Sequence, residues 1–280
     1  MRAEGESVSD TRLARATKKG QKMRKVFIKT KNVKQFVSLM DELQKLPPNI
    51  PKLALVYGEH GLGKSQTIQW WADKNDSVYV RATQGMTSRW LLSEIAEELG
   101  EEAFYHSQET FTLIENNLRQ NSKVIIVDEI DYLIDKNIIE TLRDLHDKTG
   151  CPVVLVGMGA VDKKLARYPH LMDRIYKKLK FEKFNSDDIK EILTELTDLK
   201  FKDDVIEYLA TRTNQFRQLV KLINRIEKLV KTNQIEELDE YTMKGLLNER
   251  RILTRAESSE ASELAPVKNL SEWRFAGGKS

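Results

Sequence analysis

The stretch Leu53-Ala54-Leu55-Val56-Tyr57-Gly58-Glu59-His60-Gly61-Leu62-Gly63-Lys64-Ser65 carries the reading of the fold. Its first five residues are an unbroken apolar run, of strand length and apolar throughout, as in a strand covered on both faces. Gly58 to Ser65 then satisfy G-x-x-x-x-G-K-[ST] at every position, and Gln66 to Asp73 continue with helical character. This strand, turn and helix order is the context the pattern requires. Glycines let the backbone aim several amides at phosphate oxygens, and a helix opening at Gly63-Lys64 adds its N-terminal dipole. Lys64 is the candidate partner of the β- and γ-phosphates of ATP, and the Ser65 hydroxyl a candidate ligand of Mg²⁺. Gly58, Glu59, His60, Gly61, Leu62, Gly63, Lys64, Ser65 and Gln66 form the candidate nucleotide cradle.

Outward from this segment, Val124-Ile125-Ile126-Val127 is a second continuous apolar strand, ending in Asp128-Glu129. An acidic pair at the carboxyl end of a parallel strand lies where α/β sheets bind ligands. Asp128 is the second candidate Mg²⁺ ligand, and Glu129 the candidate that orients and polarises the attacking water. Val78-Tyr79-Val80 and Pro152-Val153-Val154-Leu155-Val156 are further buried strands, and Lys178 to Phe184 alternates as an edge strand would. Helical periodicity near 33–46, 87–99, 108–118 and 137–148 separates them, so the class is α/β with a parallel five-stranded sheet between helices.

After Phe184 the pattern changes. Asn185 to Leu196, Asp203 to Thr211, Phe216 to Val230 and Leu238 to Arg250 are helical in spacing with no strand between them, and Asn185-Ser186-Asp187-Asp188 is a good helix start. The expected organisation is a basic arm at 1–31, an α/β domain at 32–184, a small helical lid at 185–250 and a flexible tail at 251–280. In that tail Trp273 and Phe275 are a short candidate docking motif.

Composition narrows the function classes. The 280 residues carry 46 Lys+Arg and 43 Asp+Glu, a net charge of +3, and are 40% apolar. No run approaches the roughly 18 apolar residues of a membrane span, and the first residues lack the apolar core of a signal peptide. A soluble, cytoplasmic protein with no membrane partner is expected. Cys151, the single cysteine, forms no disulfide within the chain, and with four scattered His it makes no zinc site. The charge is uneven: Arg12 to Lys34 hold ten basic residues and no acidic one. Lys18, Lys19, Lys22, Arg24 and Lys25 in this arm are candidate phosphate contacts to DNA, the alternative being a solvated terminus.

Two arginines complete the candidate site. Arg174, in Leu171-Met172-Asp173-Arg174-Ile175-Tyr176, precedes the edge strand, where an oligomer would let it reach a neighbour's γ-phosphate. Arg217, in Gln215-Phe216-Arg217-Gln218-Leu219, opens a lid helix and is placed to sense the same phosphate in its own subunit. The alternative for each is an ordinary surface ion pair.

Together with a helical lid after an α/β core, these motifs resemble the AAA+ ATPases. Within them the chain resembles the family of phage Mu transposition protein B and the TnsC and TniB regulators, more distantly IstB. The residues that carry the resemblance are Val33-Lys34-Gln35, Gly58 to Ser65, Leu91 to Gly100, Ile125 to Glu129, Val154 to Gly157, Arg174-Ile175 and Arg217-Gln218-Leu219. The resemblance implies an ATP-dependent protein that binds duplex DNA with little sequence preference. It also implies a homo-oligomeric filament or ring on that DNA, and recruitment of a DDE transposase that promotes hydrolysis and disassembly. It makes Lys64, Ser65, Asp128 and Glu129 the nucleotide and catalytic residues, Arg174 the trans-acting arginine and Arg217 the lid sensor. Relatives line a DNA-facing pore with the loop matching Arg81 to Arg89, which makes Thr83, Gln84, Thr87, Ser88 and Arg89 candidate backbone contacts.

Two departures stand out. Only the basic arm precedes the core, where the Mu protein has a helix-turn-helix appendage. Met158 stands where AAA+ proteins usually have a polar sensor, which implies slow or partner-dependent hydrolysis. A DnaC- or Orc-type helicase-loading ATPase, and a STAND-type signalling switch that ignores DNA, are the alternatives; the basic arm disfavours the second.

Overall fold

The computed structural model describes residues 27–213 and 215–233, with 238, 241, 243 and 244. The candidate arm contacts Lys18, Lys19, Lys22, Arg24 and Lys25 and the aromatic pair Trp273 and Phe275 lie outside them.

The elements run α1 (Lys31–Lys45), β1 (Leu53–Gly58), α2 (Lys64–Lys74), β2 (Val78–Arg81), α3 (Ser88–Glu98), α4 (Ser107–Gln120), β3 (Ile125–Asp128), α5 (Asp131–Ile134), α6 (Ile139–Thr149), β4 (Val153–Met158), α7 (Val161–Leu165), α8 (Pro169–Met172), β5 (Ile175–Phe181), α9 (Ser186–Leu196), α10 (Asp203–Arg212) and α11 (Phe216–Asn233). The strands form one sheet in the order β2-β3-β4-β1-β5, every pair parallel. β1 is therefore interior, between β4 and β5, and the loop leaving its carboxyl end opens beside the ends of β4 and β3.

The apolar runs bury both of their faces. Leu53 and Leu55 join Ile125, Val127, Val153 and Leu155 against α3 to α8 on one side of the sheet. Ala54 and Val56 join Ile126, Val154 and Val156 against α1 and α2 on the other. All of these are 0% exposed, which explains why no polar alternation marks these strands. At about 25 cal/mol per Å² of apolar surface, each buried Leu, Ile or Val contributes roughly 1.5–3 kcal/mol.

The edge strand begins earlier than its alternation predicts, at Ile175 rather than Lys178, and ends at Phe181 rather than Phe184. Glu42 of α1 draws the first residues into the ladder, accepting from the Tyr176 hydroxyl at 2.6 Å and the Lys177 ammonium at 2.6 Å. Such partners of an exposed edge leave no apolar signature.

α9, α10 and α11 pack around a separate apolar core that includes Ile189, Ile192, Val205, Leu209, Ile223 and Ile226. Asn185 caps α9 as its sequence predicts: its side chain accepts from the Asp188 amide at 2.8 Å, and Asp188 accepts in return from the Asn185 amide. Asp188 also accepts from the Lys31 amide at 2.9 Å, so the start of α9 is tied to the start of α1. Leu238, expected to open a fourth helix, instead makes a parallel bridge with Phe201. That pairing occupies its backbone, and the helical residues of this segment that are described, Tyr241, Met243 and Lys244, come after it.

Candidate nucleotide site

The turn after β1 has the backbone needed to cradle phosphate. Gly63 sits at φ 85°, and a β-carbon built on it meets nothing within 4 Å, leaving room over the start of α2. Gly58 is held by contact instead, since a β-carbon there would lie 2.7 Å from the Phe181 carbonyl. Lys64 folds back over this turn, its ammonium donating to the carbonyls of Gly58 at 2.7 Å and Glu59 at 2.8 Å. Burial pushes the Lys64 pKa down, while Asp128, Asp131 and Glu129 pull it back up. The three carboxylates around this half-buried lysine thus offset part of the effect of burial, which stays the larger one.

A cleft of about 450 Å³ opens over the turn. It brings together His60, Gly61, Gly63, Lys64, Ser65 and Gln66 with Asp128 and Glu129 from the end of β3 and Arg217 from the first turn of α11. Gly58, Glu59 and Leu62 of the predicted cradle do not line it: Gly58 is buried, Glu59 is exposed and pairs with Lys183, and Leu62 packs into the core beside α2. The lid closes directly on the turn, for a β-carbon on Gly61 would come within 3.3 Å of the Gln215 side chain. Sequence reasoning missed Arg81 and Gly157 as cleft residues, and the lid residues Phe216, Val220 and Lys221, whose approach depends on how the lid sits.

The acidic pair differs between its members. Asp128 is 2% exposed and accepts from the Glu129 amide at 2.8 Å. Glu129 lies at φ 57°, a left-handed conformation costly for a side chain of this type and concentrated at functional sites. Its carboxylate accepts from Arg81 of β2, from Nη2 at 2.5 Å and Nε at 3.2 Å. Arg81 lines the cleft too, and its pKa is raised by Glu129. With the Arg81 side chain 62% exposed, the pair is worth about 1 kcal/mol or less and is easily exchanged for another partner.

The donor set fits a nucleotide with its divalent cation. Among the described residues no group of three His, Cys, Asp or Glu is placed to hold a metal by itself. A Ser65 hydroxyl and an Asp128 carboxylate leave the remaining positions to phosphate oxygens and water, as Mg²⁺ prefers. A second cleft of about 360 Å³ shares Gly63, Gln66 and Phe216 with the first and is lined by Phe27, Ile28, Leu62, Trp70 and Phe184. Phe27 stacks on Trp70, ring centroids 4.1 Å apart and planes 8° from parallel. A charged lobe joined to an apolar, aromatic one suits a molecule with phosphates at one end and a base at the other.

Met158 lines the cleft at the end of β4, so the departure from the usual polar residue noted in the sequence falls at the site itself. Its amide donates to Asp131 at 2.8 Å. Arg174 is elsewhere: its Nε donates to both carboxylate oxygens of Asp147 at 2.8 Å and its Nη1 to the His170 carbonyl. It lines neither cleft, so within one subunit it takes the ion-pair alternative.

The candidate DNA loop is shorter than predicted. Arg81 is the last residue of β2, and Ser88 and Arg89 already belong to α3, because the Thr87 hydroxyl caps that helix by accepting from the Trp90 amide at 3.2 Å. Thr83 and Gln84 are exposed in the remaining loop, which Lys136 holds by donating to the Gln84 carbonyl at 2.6 Å. The Arg89 guanidinium lies 4.7 Å from the centroid of the Tyr105 ring, itself 76% exposed. Nothing in the local sequence points to Tyr105, which comes from the connection between α3 and α4.

The parallel sheet, the glycine-rich turn and the helices after it have the AAA+ P-loop fold, and the AAA domain family model matches residues 50–165. The fold is shared with the Aeropyrum pernix ORC2 protein solved as ADPNP-ADP complexes (TM-score 0.60, 13% identity, 84% of this chain and 71% of that one). It is shared also with Drosophila ORC bound to DNA (TM-score 0.57, 18% identity, 89% and 68%). In sequence the chain is 31% identical over 150 residues to the Mu-like prophage FluMu DNA transposition protein B of Haemophilus influenzae, covering 50% of this chain. It spans about half of that relative, 52% of its length. A potential ATP-binding protein of Staphylococcus aureus is 25% identical over 261 residues, 76% of this chain and 92% of that one. Over half of its length the chain is therefore similar to a transposition protein B, and it carries a match to the AAA domain family. Among the described residues no helix is long and apolar enough to cross a membrane.

Proposed function

We propose that this protein is an ATP-dependent, sequence-indifferent duplex-DNA-binding ATPase that oligomerises on target DNA and recruits and activates a DDE transposase. The observation that carries the coupling of DNA to nucleotide is the Arg81–Glu129 pair: the strand end that opens the candidate DNA loop also grips the candidate water-activating glutamate. Likeness to a transposition protein B supports the transposition branch.

In this reading Lys64 and the turn amides bind the phosphates, with Arg217 and Lys221 closing from the lid. Bound Mg²⁺ supplies charge neutralisation at the phosphates, held through Ser65 and Asp128. Glu129, released from Arg81, accepts a proton from the attacking water. Thr83, Gln84, Thr87, Ser88 and Arg89, with Tyr105 beneath Arg89, meet the DNA backbone, and the displacement they cause is passed along β2 to Arg81. Arg174, freed from Asp147, serves a neighbouring subunit's nucleotide. Residues 1–31 act as a basic arm, and 32–184 and 185–250 as core and lid.

The test is ATP hydrolysis with and without duplex DNA. Arg81→Ala is expected to raise DNA-free hydrolysis several-fold and remove most of the stimulation by DNA, because Glu129 is no longer restrained. Unchanged DNA stimulation in that variant removes Arg81 from the coupling. Affinity is expected to fall steeply with salt and to vary little among unrelated duplexes. Arg89→Ala is expected to lower the slope of log K against log salt by about 1, one phosphate contact. A slope equal to wild type takes Arg89 out of the interface. The Orc-type helicase-loading reading predicts the same binding but no stimulation of a transposase, so strand transfer by a cognate transposase separates the two.

A further inference from the structure

Tyr79, which belongs to none of the P-loop, the acidic pair and the lid, donates from its hydroxyl to Asp128 Oδ2 at 3.3 Å. From this contact we infer that Tyr79 is a positioning residue for the metal carboxylate, setting how strongly Mg²⁺ enhances nucleotide binding; the inference rests on the nucleotide reading of the cleft.

β2 and β3 are neighbours, with Tyr79 in register with Ile126 and Arg81 with Asp128. Tyr79 and Arg81 are two apart on one strand, so both side chains leave the same face of the sheet. That face carries Ile126 and the apolar cluster beside α2, against which the Tyr79 ring packs. The ring lies along the strand toward its carboxyl end, and its hydroxyl reaches the carboxylate two positions beyond Ile126.

Asp128 is 2% exposed, so its carboxylate has little water to orient it. One oxygen, Oδ1, accepts from the Glu129 amide at 2.8 Å, and the other from Tyr79. Two donors on two oxygens hold the carboxyl plane in one orientation while each oxygen keeps a lone pair. A buried carboxylate left with one donor would rotate or be poorly solvated. Phenylalanine would fill the same space, so packing does not explain the hydroxyl.

The experiment measures affinity for a fluorescent ADP analogue as a function of Mg²⁺, in wild type, Tyr79→Phe, Asp128→Asn and the double variant, with thermal midpoints as a check on folding. Partners that orient a metal ligand typically contribute 10–100-fold to metal affinity. Tyr79→Phe is expected to leave Mg²⁺-free affinity and thermal midpoint near wild type while raising the half-saturating Mg²⁺ concentration about tenfold. In the Asp128→Asn background it is expected to add nothing further. A folded Tyr79→Phe protein with wild-type Mg²⁺ dependence overturns the inference alone, as does an equal effect with and without the Asp128 carboxylate. Wild-type protein that binds no nucleotide at any Mg²⁺ concentration overturns the nucleotide reading and the inference with it.

Discussion

Lys64→Ala is expected to weaken ATP binding by a hundredfold or more and to abolish ATP-dependent DNA binding with it. Lys64 is the one ammonium held inside the phosphate turn, by the Gly58 and Glu59 carbonyls. Its alternative partners when nucleotide enters are phosphate oxygens, and hydrogen bonds to charged groups contribute about 1.5–3 kcal/mol each. Losing two of them corresponds to about 10²-fold or more in affinity. Folding is not at risk, because alanine suits the first turn of α2 at least as well as lysine. Isothermal titration with ATP, followed by DNA binding with and without nucleotide, reads the result. A variant with wild-type ATP affinity would show that the turn does not bind phosphate.

The second large effect lies at Glu129. Glutamine at this position retains an oxygen that accepts from Arg81 and is no more strained at φ 57° than glutamate. What it lacks is a carboxylate able to take a proton. General-base catalysis contributes about 10²–10⁴-fold, so hydrolysis is expected to fall by at least 10²-fold while ATP affinity stays within a few-fold of wild type. If hydrolysis releases the protein from DNA, the variant is expected to stay on DNA as a long-lived ATP-bound oligomer. Steady-state phosphate release and DNA dissociation rates check both parts. Turnover at the wild-type rate assigns water activation to another group.

How much of this was legible in the sequence depends on the range of the interaction involved. The P-loop is contiguous, so eight residues disclose strand, turn and helix together, and the helix begins within a residue of its expected place. The buried strands were legible because a short apolar run with no alternation must be covered on both faces, as the interior of a parallel sheet is. The Asn185 cap was legible because both partners lie within four residues. By contrast, Tyr79 and Asp128 are 49 positions apart and Arg81 and Glu129 are 48 apart, and they meet only because β2 lies beside β3. The apolar lobe of the site is assembled from Phe27 before α1, Trp70 on α2 and Phe184 before α9. Local periodicity carries no record of that assembly. Tyr105 under Arg89 has the same origin. The edge strand was displaced in the reading because Tyr176 and Lys177 enter it through Glu42, a polar contact with a distant helix.

Arg174 shows the opposite limit. Its sequence position suggests a role in trans, while in a single subunit it is held on Asp147 by two 2.8 Å contacts. A subunit interface that offers a phosphate in place of Asp147 exchanges one anion for another, and with the Arg174 side chain only 34% exposed the exchange requires a directed approach.

The central claim, that ATP binding licenses assembly on DNA, is tested most directly by duplex-DNA binding in fluorescence anisotropy with ATP, ADP and no nucleotide, imaging the same samples by negative-stain electron microscopy. The account predicts cooperative binding with ATP alone, with filaments or rings on the DNA. Oligomers that form with ATP and ignore DNA, or DNA binding of equal strength in all three states, would contradict it.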